Sequence, residues 1–148
     1  MLIKHIQGFI LPSAILLLFF FQVSPYTSKP FVGHPDWNSV VYANSARNYL
    51  RYGLLATKFG QVRNPDYVQP NEFGYTTHYP PLLSLLISGY LKIFGVNEIA
   101  ARLVSVTTSL VSLLFIYLIG KELFGRDVGF LAALFAAITH ILQYFSLI

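Results

Sequence analysis

The stretch Ile15-Leu-Leu-Leu-Phe-Phe-Phe21 decides the fold class, because it lies at the centre of a segment, residues 6–23, that carries no charge. Two further charge-free segments follow, at residues 103–120 and 128–148. At 1.5 Å per residue, a helix of roughly 18 to 21 residues reaches across a hydrocarbon core of about 30 Å. The sequence therefore predicts an all-α integral membrane protein with about three transmembrane helices, over residues 6–26, 103–120 and 128–148.

The composition supports the same class and excludes several others. Of the 148 residues, 55% are hydrophobic and 11% are charged, whereas soluble domains carry about 25% charged residues. Ten Lys and Arg stand against six Asp and Glu, an excess too small for the basic surface of a nucleic-acid-binding protein. The chain has no cysteine, which excludes disulfide frameworks, Cys-ligated zinc and thiol nucleophiles.

A long loop, residues 27–102, separates the first two predicted spans and is expected to hold a basic helix. Helical periodicity over residues 39–55 places Arg47, Arg51 and Lys58 within about 40° of one another on the helical wheel. This pattern is typical of an amphipathic helix that lies on a membrane surface. Gly53 can end the helix early, and Lys58 would then leave the basic stripe.

A second interfacial helix is predicted over residues 81–95. This stretch is apolar, but it is shorter than a membrane span and carries Lys92, so a position at the membrane surface is favoured over a crossing. Residues 60–77 lie between the two helices and are rich in Pro, Asn and Gly. Such a composition predicts a loop.

Asp36 is the candidate catalytic residue, because it follows the first span closely within His34-Pro-Asp-Trp37. A carboxylate just above the membrane can act as general base toward an acceptor hydroxyl or amine. With His34 and His78 it can instead help to hold a divalent metal ion. It can also simply cap the helix that follows, and the residues alone leave these three interpretations open.

Four other residues are candidate ligands for the substrate or for a carrier phosphate: Arg47, Arg51, His78 and Arg102. Each has a simpler interpretation. The first two arginines can anchor anionic lipids, His78 can shape the start of the helix after it, and Arg102 can extend from a span boundary to the interface.

Several short motifs, taken together in their order, give the chain a resemblance to a known family. They resemble the N-terminal part of GT-C superfamily membrane glycosyltransferases, in particular the dolichyl-phosphate-mannose–protein mannosyltransferase and aminoarabinose transferase relatives. After a first span, the motifs are Gly33-His-Pro-Asp-Trp-Asn38, Ala46-Arg-Asn-Tyr-Leu-Arg-Tyr-Gly53, Thr77-His-Tyr-Pro-Pro-Leu82, Lys92-Ile-Phe-Gly95 and Glu98-Ile-Ala-Ala-Arg-Leu103, with Leu123-Phe-Gly125 closing the second span.

The resemblance implies an enzyme that moves a sugar from a polyprenyl-phosphate carrier to an acceptor outside the cytoplasm. Asp36 occupies the family's acidic position near the acceptor, and Arg47 with Arg51 would face the leaving phosphate. The protein would be multi-pass in the cell membrane with a cytoplasmic N-terminus and an external long loop. The number of Lys and Arg residues in that loop would place it on the cytoplasmic side by the positive-inside rule. We adopt the orientation of the family instead, because the basic stripe then has a phosphate to bind.

The resemblance also implies that residues 1–148 are an N-terminal fragment of the glycosyltransferase domain, since relatives are much longer. On that interpretation the chain is inactive alone and has a downstream half of a split enzyme, besides membrane lipids and the sugar donor, as partners. The alternative is a small non-catalytic multi-pass membrane protein that binds lipids or a partner subunit. The identities of the sugar and the acceptor do not follow from these residues.

Overall fold

The computed structural model describes residues 2–32 and 37–147, and most of these are helical. The six helices are α1 (Leu2–Thr27), α2 (Trp37–Tyr52), α3 (Leu82–Phe94), α4 (Glu98–Phe124), α5 (Arg126–Ile138) and α6 (His140–Phe145). Between α2 and α3 lie two short strands, β1 (Gln61–Val62) and β2 (Tyr75–Thr76), and a 3₁₀ turn at Pro70–Glu72. The strands pair antiparallel, with Gln61 opposite Thr76 and Val62 opposite Tyr75.

The chain divides into two compact units. The helical unit holds the chain up to Ser28 together with Ser105–Leu147, and the loop unit lies within Lys29–Val104. Each has its own apolar core, because each brings the apolar sides of several helices together. The helical core is Ile15, Phe19, Val23, Val106, Leu113, Tyr117, Ala133 and Ala137, and the loop core is Ala46, Ile87, Leu91, Ala100, Ala101 and Val104.

Two of the described helices are long and apolar enough to cross a membrane, α1 through its window Ile10–Thr27 and α4 over Glu98–Phe124. Only 22% of the first apolar window and 28% of the second is buried inside the structure. Phe21 and Phe115, for example, are 68% and 57% exposed. A core helix of a soluble protein would bury its apolar side chains, so these helices favour a surrounding lipid phase.

The third predicted span, residues 128–148, is not confirmed as a transmembrane helix. Helix α5 has only 13 residues, about 20 Å in length, and ends before Thr139, whose backbone is extended (φ −68°, ψ 123°). The Thr139 hydroxyl donates to the Phe135 carbonyl at 2.7 Å. Hydroxyls that bond back one turn in this way bend helices, and the sequence pattern of apolar residues gives no sign of the break.

The loop unit packs α2 against α3 and the first turns of α4. Helix α2 begins two residues before the predicted start and ends at Tyr52, because Gly53 takes a left-handed conformation (φ +85°) that halts the helix. Lys58 therefore lies in the following turn, away from the helix that carries Arg47. Helix α4 is capped by Asn97, whose Oδ1 accepts from the Ala100 amide at 2.8 Å.

Within the helical unit, α4 and α5 form a hairpin whose backbones touch at two glycines. A Cβ placed on Gly129 would lie 2.5 Å from the Lys121 amide nitrogen and 2.6 Å from the Tyr117 carbonyl oxygen. A Cβ on Gly120 would lie 2.8 Å from the Gly129 Cα. Since the obstructing atoms belong to the backbone, no side-chain movement can make room for a methyl group there.

We expect Gly129→Ala to lower the free energy of unfolding by about 2 kcal/mol, the usual cost of overpacking. The control is Gly89→Ala in α3, where a Cβ meets nothing within 4 Å and helix propensity should raise stability by up to about 1 kcal/mol. The stability of both variants is measured in detergent by following the loss of the helical circular dichroism signal during thermal or denaturant unfolding. Equal effects of the two substitutions would contradict the close backbone contact.

Candidate functional site

The loop unit contains an open groove of about 760 Å³, formed by α2, the segment around Arg63 and the junction between α3 and α4. One part of its lining is apolar, and the other carries amides and charges. The apolar side chains are Phe31, Trp37, Val40, Val41, Leu91 and Val96, and the polar ones are Asn44, Arg47, Arg63, Asn64, Asn97 and Glu98. The volume of the groove lies in the range that is typical of ligand sites.

Helix α2 supplies the groove's central cation, Arg47, and holds it in place. Arg47 and Asn44 lie one turn apart, and Arg47 Nη2 donates to Asn44 Oδ1 at 2.7 Å. The same nitrogen donates to the carbonyl of Pro65, and Asn44 Nδ2 donates to the carbonyl of Arg63. Two side chains of α2 thus bind two carbonyls of the facing segment, which keeps the groove open at a defined width.

A buried amide beneath the groove makes the firmest link between α2 and the strand segment. Asn48 is fully buried, and its Nδ2 donates to the carbonyls of Val62 at 2.9 Å and Asn64 at 2.8 Å. Asn64 in turn accepts from the Gly74 amide at 2.7 Å through Oδ1. Residues 60–77, predicted only as a loop, are therefore tied down through polar contacts.

A second buried amide ties the same segment to α3. Gln61 Nε2 donates to the carbonyls of Tyr79 at 2.9 Å and Pro80 at 3.1 Å. Its Oε1 accepts from the buried hydroxyl of Ser84 at 3.3 Å. Because both helices are joined to β1 in this way, the walls of the groove belong to one packed unit.

The groove offers unused hydrogen-bond donors of positive charge. The Arg63 side chain is exposed and makes no hydrogen bond or ion pair within residues 2–32 and 37–147. Arg47 lines the same groove, while its Nε, which lacks a hydrogen-bond partner in the described part of the chain, is buried out of reach of a ligand. Guanidinium groups bind phosphate and carboxylate oxygens through paired N–H donors, so this arrangement suits an anionic group on a largely apolar ligand.

The other predicted ligands lie outside this groove. Arg51 is exposed, with its guanidinium carbon 5.9 Å from the centre of the Tyr52 ring. His78 is exposed in the bend before α3. Arg102 is buried; it donates to the carbonyl of Lys29, and its guanidinium carbon lies 4.3 Å from the centre of the Phe31 ring. Arg102 thus supports a residue that lines the groove and does not itself line it.

Two predicted site residues, His34 and Asp36, lie outside the described residues. Within the part of the chain that the structure does describe, no group of three His, Asp or Glu side chains could hold a metal ion. The predicted metal site needs His34 and Asp36 together with His78, so it stays a prediction.

Arg63 and Glu98 line the groove but were not among the residues predicted to bind a ligand. Arg63 lies in a segment without helical periodicity, and no pattern in the sequence relates it to Arg47. Glu98 is only the first residue of α4 in sequence terms. The asparagines near them in the sequence were the one indication of a structured loop, since asparagine side chains commonly hydrogen-bond to backbone groups.

Two tyrosines of α2 have a raised pKa. Burial raises the pKa of Tyr49, whose hydroxyl donates to the Phe59 carbonyl at 3.1 Å. Burial also raises the pKa of Tyr42, and the neighbouring Tyr79 adds to the effect. Both therefore stay neutral at physiological pH, so neither is a candidate base.

We expect Asn48→Leu to lower the free energy of unfolding of the loop unit by about 2 kcal/mol, because it leaves the carbonyls of Val62 and Asn64 without their donor. The change is nearly isosteric, so packing is largely kept. Asn71→Leu is the control, since Asn71 is exposed on the 3₁₀ turn. Hydrogen exchange of residues 61–64 reports the effect locally; unchanged protection in Asn48→Leu would contradict the proposed link.

Residues 78–148 match the family model described as dolichyl-phosphate-mannose-protein mannosyltransferase. The match begins just before α3 and includes the α3–α4 wall of the groove with Asn97 and Glu98. It confirms the resemblance over residues 78–148, and the matched family is a membrane-associated family of GT-C type glycosyltransferases. No curated protein and no solved structure matches the chain.

Proposed function

Because residues 78–148 carry part of the dolichyl-phosphate-mannose-protein mannosyltransferase family's domain, we propose that the protein transfers a sugar from a polyprenyl-phosphate carrier to an extracytoplasmic acceptor. The family match is the observation that carries this proposal. The proposed topology is multi-pass in the cell membrane, with a cytoplasmic N-terminus and the loop unit outside.

The groove of the loop unit is the proposed binding site for the carrier. Its apolar wall, with Val40, Leu91 and Val96, suits the isoprenoid chain, while Arg47 and Arg63 suit the phosphate. When the sugar's anomeric carbon is attacked, the bond to the phosphate oxygen breaks and negative charge grows on the leaving group. Cations held in advance at that position lower the energy of the transition state.

The reaction also needs a base that takes the proton from the acceptor. We assign this role to Asp36, which directly precedes Trp37, a residue that lines the groove. Glu98 is the competing candidate, because it is the carboxylate among the described residues of the groove lining. Glu98 also has a structural explanation. It is the first residue of α4, and a negative charge at this end stabilises a helix by interacting with the helix dipole.

We expect Asp36→Asn to reduce sugar transfer by about 10²–10⁴-fold, the usual contribution of a general base, and Glu98→Gln to reduce it much less. The assay uses membranes that contain the full chain, co-expressed with any adjacent reading frame, and measures mannose release from dolichyl-phosphate-mannose. Equal activity of wild type and Asp36→Asn would rule out its role as base. Strong loss only in Glu98→Gln would transfer the role to that residue.

Arg63→Gln tests the phosphate site without disturbing the fold, because this side chain is exposed and makes no hydrogen bond or ion pair within the described residues. We expect the KM for the carrier to rise about tenfold or more, as for the loss of a charge-assisted hydrogen bond. Lys92→Gln is the matched control, since Lys92 is an exposed cation of α3 outside the groove. Equal KM values for the two variants would place the carrier phosphate elsewhere.

A further inference from the structure

The turn that follows α2, residues 53–60, presents three large apolar side chains to the outside. Leu55 is 85% exposed, Phe59 is 49% exposed and Leu54 is 38% exposed. Such a concentration within a few residues is unusual for a surface in contact with water, because exposed apolar clusters mark interaction sites.

Hydrogen bonds fix the turn in this conformation. The amide of Phe59 donates to the Leu54 carbonyl at 3.0 Å, and that of Gly60 donates to the Thr57 carbonyl at 2.8 Å. Thr57 is fully buried, and its hydroxyl donates to the carbonyls of Gly53 at 3.0 Å and Leu54 at 3.1 Å. The Thr57 hydroxyl is thus directed inward, while the side chains of Leu54, Leu55 and Phe59 are directed outward.

The backbone of the turn is strained at two residues, so the conformation that exposes its apolar side chains costs conformational energy. Lys58 and Phe59 both have positive φ, 51° and 55°, a conformation that residues other than glycine and asparagine seldom adopt. Two successive positions of this kind persist only where the surrounding structure imposes them. Here the Phe59 carbonyl accepts from the buried Tyr49 hydroxyl at 3.1 Å, which holds the strained backbone against α2.

The charges around the turn have a single sign. Arg51 precedes it and Lys58 lies within it, and both side chains are exposed. Between Asp36 and Asp66 the sequence contains four cations, Arg47, Arg51, Lys58 and Arg63, and no carboxylate. Basic residues beside exposed apolar ones are typical of segments that bind membranes containing anionic lipid.

We propose that the turn at residues 53–60 inserts into the interfacial layer of a bilayer that contains anionic phospholipid. Leu55 and Phe59 enter the boundary of the acyl chains, about 5–10 Å below the headgroups, while Arg51 and Lys58 contact the headgroup phosphates. The rigid turn needs no ordering on insertion, so little conformational entropy is lost. Two helices of the same chain, α1 and α4, are long and apolar enough to cross a bilayer. The inference is independent of the proposed sugar transfer.

The absence of native cysteine allows a direct test with single-cysteine variants of the full chain in vesicles. Leu55→Cys carries an environment-sensitive fluorophore, and Asp66→Cys, an exposed and charged position of the same unit, is the matched control. We expect nitroxide groups attached to the lipid chains to quench the label at position 55 much more than that at 66. A water-soluble quencher should show the reverse order.

Two results would overturn the proposal. A label at position 55 that the water-soluble quencher reaches as readily as the one at 66 would show that the turn lies in water. A label protected from both quenchers would show that protein covers it. Because Leu55 is so exposed, its replacement should leave the fold intact, which unchanged thermal unfolding of the variant verifies.

The lipid dependence tests the charge part of the proposal separately. In the Leu55→Cys background, we expect lipid quenching to be stronger in vesicles with phosphatidylserine or phosphatidylglycerol than in pure phosphatidylcholine. The additional changes Arg51→Gln and Lys58→Gln should remove this difference and leave the phosphatidylcholine value unchanged. A difference that survives both changes would contradict the role of these two cations.

Discussion

The buried amide of Asn48 is the interaction on which the loop unit depends. Its two hydrogen bonds connect α2 to the strand segment on the far side of the groove. Carbonyls buried away from water must find donors, and a segment rich in proline and glycine cannot supply enough of them within itself. The groove, the position of Arg47 and the short ribbon of β1 and β2 all follow from this link.

The sequence was sufficient for those features that depend on length and apolar content. Charge-free segments predicted α1 and the apolar part of α4, and Gly53 was recognised as a residue that could end α2. The break at Thr139 could not be predicted, because residues 128–148 contain no proline and remain predominantly apolar on both sides of it. The ties made by Asn48 and Gln61 join residues 14 to 23 positions apart, and no periodicity encodes such pairs.

Some of the residues predicted to bind a ligand line the groove and others do not, and only their tertiary environment separates them. Arg47 and Arg51 are equivalent in the sequence, one helical turn apart, yet one lines the groove and the other lies at the exposed end of α2 beside the turn at residues 53–60. Arg63 lines the same groove as Arg47 only because of the way the loop folds. The family match, which begins at residue 78, supports the proposed reaction, whereas the cations of the groove come from the part of the chain before it.

The contact between Arg102 and the Lys29 carbonyl joins positions 73 residues apart, near the two ends of the loop unit. This hydrogen bond lies within the loop unit and closes the chain between the two positions into a ring. The entropy of closing such a ring grows only with the logarithm of its length, about 0.6 kcal/mol for each doubling. Insertions into the outer segments of this unit, such as residues 60–77, would therefore add little to the entropy of closing the ring and should be tolerated.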